Sequence, residues 1–365
     1  EVKKSMTKVN DNENDPMDID KEPSKFAKKK VGTVDGSIDH QLPWVEKYRP
    51  KRLEDLVAHD DIVHIITKLI DNDNLPHLLL YGPPGTGKTS TIVAAAKRMY
   101  GDNAYTSMAL ELNASDTRGI DVVRNEIKEF AGTRQLFRSG VKLIILDEAD
   151  AMTNDAQFAL RRIIEKYTKN ARFCLICNYV SKIIPALQSR CTKFRFAPLS
   201  RDQMHGRLIH VANCENVNIT DNGVDAILSL SNGDMRRVLN LLQTTSMSNK
   251  VKEVDETAVY LTSGSPLPRD MTTILDFLLN HSFRSAIDSI STMCSTNGYA
   301  LCDVLTDLTT MVCAMELPGF VLADLLDGLS DIEYRLTFGA DERLQIGSLV
   351  GVFRKARDQM SSQST

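Results

Sequence analysis

Residues 81–89 read YGPPGTGKT, a G-x-x-x-x-G-K-T spacing that suits a phosphate-binding turn. Glycines at 82, 85 and 87 let backbone N–H groups close on phosphate oxygens. Lys88 brings a cation to the β/γ charge, and the Thr89 hydroxyl faces Mg2+. The expected nucleotide loop runs Gly82, Pro83, Pro84, Gly85, Thr86, Gly87, Lys88, Thr89 and Ser90. Further on, KLIILDEAD ends an apolar run on two acids. Asp147 is placed to hold the metal, and Glu148 beside it can polarise an attacking water. Asp150 is expected to cap the next helix. Asn178 closes FCLICN, so its amide lands on the same sheet edge as Asp147, where it can orient the water or touch the γ-phosphate. Together these residues imply ATP and Mg2+ as ligands.

Arg190 is different. It follows a helical stretch expected over 181–188 and precedes CTKFRF. A parallel strand starts at the edge opposite the one where its predecessor ended. Arg190 therefore belongs roughly 17 Å from its own phosphates, by strand length. The spacing leaves two uses for it: an arginine finger acting in trans on a neighbouring molecule's ATP, or a surface arginine paired with a carboxylate.

The elements that carry these residues are short apolar runs, HLLLY, MALEL, KLIILDE and FCLICN, each followed by polar residues and a helix-like stretch. That alternation predicts an α/β domain with a parallel sheet over 41–198. Residues 1–40 are rich in Lys, Asp, Asn and Ser and are expected to form a disordered tail. RDQMHGRLIHVA, DNGVDAILSLS and DMRRVLNLLQTT predict a small helical unit over 199–263. A wholly helical block is expected over 264–365. Arg236 opens the DMRR helix, whose Val238, Leu239, Leu241 and Leu242 can pack its base while its guanidinium meets phosphate.

The helix expected from about Asp121 puts Arg124 and Lys128 one turn apart, with Arg118 just before it. That spacing suits tracking DNA phosphates rather than reading bases. Its opposite stripe, Val123, Ile127 and Phe130, is expected to be core.

Composition narrows the classes. With 365 residues, 42% hydrophobic and 25% charged, the chain has room for two or three domains. Its net charge of −4 argues against a protein that coats nucleic acid. No run approaches the ~18 apolar residues of a membrane span, so no membrane partner is expected. Seven cysteines without a disulfide framework fit a reducing compartment, on the cytosolic or nuclear side. Cys174 and Cys177 have metal-ligand spacing but lie inside an apolar strand with no second pair, against zinc.

The phosphate loop, LDEAD, Asn178, SRC and GDMRR, in this order, resemble the clamp-loader branch of the AAA+ ATPases, and PWVEKYRP with LNASD is similar to its replication factor C small subunits. The likeness covers about residues 41–355. It implies a RecA-like AAA+ ATPase domain with a small helical lid and an all-helical C-terminal collar. It implies a heteropentamer with other replication factor C subunits, active as an ATPase only when assembled. That complex would open a sliding clamp (PCNA) and load it at primer-template DNA junctions in the nucleus. The resemblance also implies adenine contacts from Val45, Arg49, Val57 and Ala58 and a second-sensor role for Arg236. It implies restraint of Glu148 by Arg118, and clamp docking near Phe130. Two alternatives stay open: a structural subunit that binds ATP without hydrolysing it, and an AAA+ DNA motor.

Overall fold

The computed structural model describes residues 42–56, 58–114, 120–133, 140–248 and 253–363. The expected tail over 1–40 lies outside them. From Pro43 onward the chain forms one unit. It begins with α1 (Trp44–Lys47) and α2 (Asp60–Asp71), then enters the sheet at β1 (Leu78–Tyr81). The phosphate loop leads from β1 into α3 (Lys88–Tyr100), followed by α4 (Asp102–Met108), β2 (Ala109–Asn113) and α5 (Ile120–Gly132). Next come β3 (Lys142–Asp147), α6 (Asn154–Tyr167), β4 (Ala171–Cys177), α7 (Pro185–Gln188) and β5 (Thr192–Arg195).

The five strands pair in the order β2-β3-β4-β1-β5, all parallel. The expected α/β layering follows from the strand residues. Leu78 and Leu80 pack with Ile66 and Ile92 on one face, while Leu79 packs with Ile127 and Leu160 on the other. Both faces are covered, so the strands read as continuous apolar runs rather than alternating ones.

Beyond the sheet, α8 (Arg201–Cys214), α9 (Asp221–Ser231), α10 (Met235–Met247) and α11 (Glu256–Ser263) share a separate core that also takes in Trp44 of α1. The last helix of this unit was not expected. Its eight residues, ETAVYLTS, carry too little periodicity to stand out. The C-terminal block is α12 (Pro268–Asn280), α13 (Phe283–Asn297), α14 (Leu301–Cys313), α15 (Gly319–Thr337) and α16 (Glu342–Gln363). Its apolar core draws only on residues of that block.

Two expectations need correction. The stretch 181–188 is not one helix: a 3-10 turn over 180–182 is separated from α7 by Ile183 and Ile184 in extended conformation. Pro185 explains the break, because its ring disfavours helical geometry in the residue before it. Asp150 does not cap α6. Thr153 does, accepting from the Ala156 N–H, and Asp150 turns the other way, toward the end of β4.

Candidate nucleotide-binding site

The cleft sits at the carboxyl ends of the central strands, between the sheet and helices α1, α8 and α10. Gly82 adopts φ 145° where β1 gives way to the loop, and a Cβ there would lie 2.1 Å from the Phe196 carbonyl oxygen. Gly85 adopts φ 68°, and a Cβ there would meet the Asp234 carboxylate at 1.6 Å. The lid thus rests directly on the phosphate loop, and Met235 N–H also donates to the Gly85 carbonyl at 3.3 Å.

Lys88 is buried at the start of α3. Its Nζ donates to the carbonyls of Gly82 and Pro83, both at 2.7 Å, and to Asn178 Oδ1 at 3.1 Å. Burial holds its pKa below the usual lysine range, an effect that Asp147 opposes and Arg236 reinforces. An ammonium held only by neutral oxygens is primed for an anion. Thr89 Oγ1 donates to Asp147 Oδ2 at 2.8 Å, so hydroxyl and carboxylate meet as an all-oxygen pair suited to a hard cation. Asp147 Oδ1 accepts the Glu148 N–H at 2.9 Å. Glu148 is exposed and held at φ 54°. That left-handed turn carries its carboxylate beyond the strand end, where water can reach it.

The sequence-expected residues assemble here with few exceptions. Val45, Arg49, Ala58, Pro84, Gly85, Thr86, Gly87, Lys88, Thr89, Ser90, Asp147, Glu148, Asn178 and Arg236 all line the cleft. Gly82 and Pro83 stand behind it, their carbonyls turned to Lys88. Val57 lies outside the described residues. Ten lining residues were missed, among them Gln203 and Arg207 from α8 and Met235 and Leu239 from α10. Arg207 donates to the Tyr48 carbonyl at 2.8 Å, and Lys47 pairs with Glu215 at 2.6 Å, tying α1 to the lid. This contact was not legible in the sequence, since α1 and α8 are far apart in the chain and share no motif.

Arg190 lies on the other edge. It precedes β5, whose Thr192 is in register with Leu78 at the amino end of β1, and it does not line the cleft. Within the chain it pairs with Glu165 and donates to the Ala186 carbonyl at 2.6 Å. Glu165 also accepts from Arg161 Nε at 3.1 Å, and its pKa is lowered first by that hydrogen bond and then by Arg190.

Of the expected DNA-tracking residues, Arg118 and the side chain of Arg124 lie outside the described residues. Lys128 is exposed on α5. On the opposite stripe Ile127 is buried, and Phe130 is half-buried against the same core with Lys142 Nζ 4.7 Å from its ring centre. Cys174 and Cys177 are buried free thiols, and burial pushes Cys177 up to about 12. No cluster of three or more metal-ligating side chains occurs among the described residues.

Comparisons with known proteins match this layout. Residues 78–199 match the ATPase family associated with various cellular activities, 201–258 the RFC1-like AAA+ ATPase lid domain, and 266–352 the replication factor C C-terminal domain. The chain is 55% identical over 323 residues to replication factor C subunit 5 of Mus musculus, covering 88% of this chain and 95% of that protein. It is 56% identical over 319 residues to a probable replication factor C subunit 5 of Dictyostelium discoideum, covering 87% and 92%. Among solved structures, the branch migration motor RuvB of Thermotoga maritima is 16% identical with a TM-score of 0.48, covering 72% of this chain and 91% of that one.

Proposed function

The chain belongs to the replication factor C family of AAA+ ATPases, and from that premise we propose how its geometry serves an ATP-driven clamp-loader subunit. One observation carries the reading. Lys88, Asp147, Glu148, Asn178 and Arg236 converge on one cleft, while Arg190 is kept from it by the length of the strands.

ATP enters between α1 and the phosphate loop, its base beside Val45, Arg49 and Ala58. Lys88 exchanges its loop carbonyls for phosphate oxygens. Thr89 and Asp147 fit Mg2+, which when bound neutralises phosphate charge. Glu148 takes the proton of the attacking water, and Asn178 orients that water or meets the γ-phosphate. Arg236 reaches the same phosphate from the lid, so the lid is pulled shut only over a triphosphate. Arg190 leaves Glu165 to complete the site of a neighbouring subunit.

The C-terminal block joins this chain to other replication factor C subunits in a heteropentamer, and turnover needs that assembly. Arg118, Arg124 and Lys128 track the backbone of primer-template DNA, and the complex opens a sliding clamp (PCNA) in the nucleus.

The test is the assembled complex with clamp and primed DNA. Arg190→Ala is expected to leave this chain's own ATP affinity intact while removing one site's share of turnover, the finger being worth ~10³ or more at that site. Lys88→Ala is expected to empty this chain's own site. Undiminished turnover in Arg190→Ala, or full turnover by the isolated chain, overturns the shared-site reading.

A further inference from the structure

Asp150 closes the LDEAD run and has no part in the phosphate chemistry above. It lies in the 3-10 turn 149–151, directly after Glu148, between β3 and α6. A single oxygen, Oδ2, accepts the backbone N–H groups of both Asn178 and Tyr179, each at 3.2 Å. Asn178 in turn offers its Oδ1 to Lys88 Nζ at 3.1 Å. At the other end of the same short turn, Asp147 accepts from Thr89 and from the Glu148 N–H.

Further along, the loop is tied by Gln188, which donates to the Val180 carbonyl at 3.0 Å, and by the Lys182 N–H, which donates to the Tyr179 carbonyl at 3.2 Å, but Asp150 is what grips the N–H groups of Asn178 and Tyr179. Cys177 is buried at the end of β4, but the next two residues emerge into the open, and the Tyr179 side chain is 62% exposed. Two successive N–H groups converging on one carboxylate oxygen restrain the peptide between Asn178 and Tyr179 in both position and rotation. The bonds are charge-assisted and roughly twice as strong as neutral ones. Asp147 and Asp150 therefore brace the two sides of one cleft from one turn.

We propose that Asp150 is a positioning residue: it holds the backbone at the end of β4 so that the Asn178 amide stands at the γ-phosphate. The inference rests on the reading of Asn178 given above. Glu148 lies between the two aspartates, so displacement of the Asn178 loop also changes what faces the catalytic base.

The test uses the full chain and compares affinity for mant-ATPγS with affinity for mant-ADP, which differ by the γ-phosphate. Asn178→Ala is expected to cut the preference for mant-ATPγS about tenfold, the worth of one hydrogen bond to a charged group. Asp150→Ala is expected to do the same while leaving mant-ADP affinity unchanged. Asp150→Asn keeps an acceptor oxygen and the side-chain shape, so it should retain most of the preference. If the alanine form folds poorly, Asp150→Leu, which keeps much of the volume but has no acceptor, takes its place with the same expected loss. In the double variant the losses should not add, because both act through one amide. An unchanged preference in Asp150→Ala, or in Asp150→Leu where it stands in, or additive losses, overturns the proposal while leaving Asn178 in place. If Asn178→Ala itself leaves the preference unchanged, the assignment of Asn178 falls and takes the proposal with it.

Discussion

Lys88 shows how much the site depends on single groups. Its three ammonium protons are taken up by two loop carbonyls and one amide oxygen, with no carboxylate among the described residues in direct contact. A nucleotide supplies the missing counter-charge, so Lys88→Ala should weaken mant-ATP binding by at least about tenfold, measured by fluorescence titration of the full chain. At the opposite edge His77 is 8% exposed, its Nδ1 accepting from the Phe173 N–H at 3.1 Å. Burial, aided by Arg172, pulls its pKa down to about 4. An unfolded histidine titrates near 6.5, so between these values the unfolded chain binds a proton that the folded chain rejects. Stability should therefore fall as pH drops from about 6.5 to about 4, by up to about 3 kcal/mol. Urea titrations of the wild type and His77→Gln across that window check it: the variant's stability should depend less steeply on pH.

At the scale of elements, α5 is fastened by a residue of another strand. Lys142, the first residue of β3, donates to the Phe130 carbonyl at 2.8 Å and to the Thr133 carbonyl at 2.6 Å. It thereby satisfies the last turn of the helix that carries Lys128. Lys142→Met keeps the volume but strands those carbonyls, and should cost about 1–3 kcal/mol in chemical denaturation. Hydrogen exchange should speed up at the C-terminal end of α5. This contact is also where sequence reading runs out. Motifs whose parts are adjacent in the chain, such as the phosphate loop with Lys88 and Thr89 or the acids after β3, were legible because one turn places them all. Gln203, Arg207 and Leu239 reach the cleft only through packing of the lid on α1, and no local pattern records that. Asp150 had a good local role as a helix cap. Thr153 holds that role instead, and the tertiary pull of the Asn178 loop decides where Asp150 turns.

At the scale of the molecule, the C-terminal helices have a core of their own, from Met271 through Ala356. Residues 266–365 alone should give a cooperative thermal transition by circular dichroism, since their apolar surface is buried without help from the sheet. The sheet sets a further consequence. The cleft opens at one margin of the strands and Arg190 stands at the other. Under the shared-site reading, each copy is a socket at one end and a plug at the other, so the joint between two copies is directional and never self-paired. A line of such units that fails to close into a circle has one more socket than it has plugged joints. Some terminal member is left with a nucleotide that no neighbour helps to cleave, and another with an arginine that has nothing to reach. The placement of one guanidinium in a single chain thus gives every joint a direction, and it creates those two unlike ends wherever the line stays open.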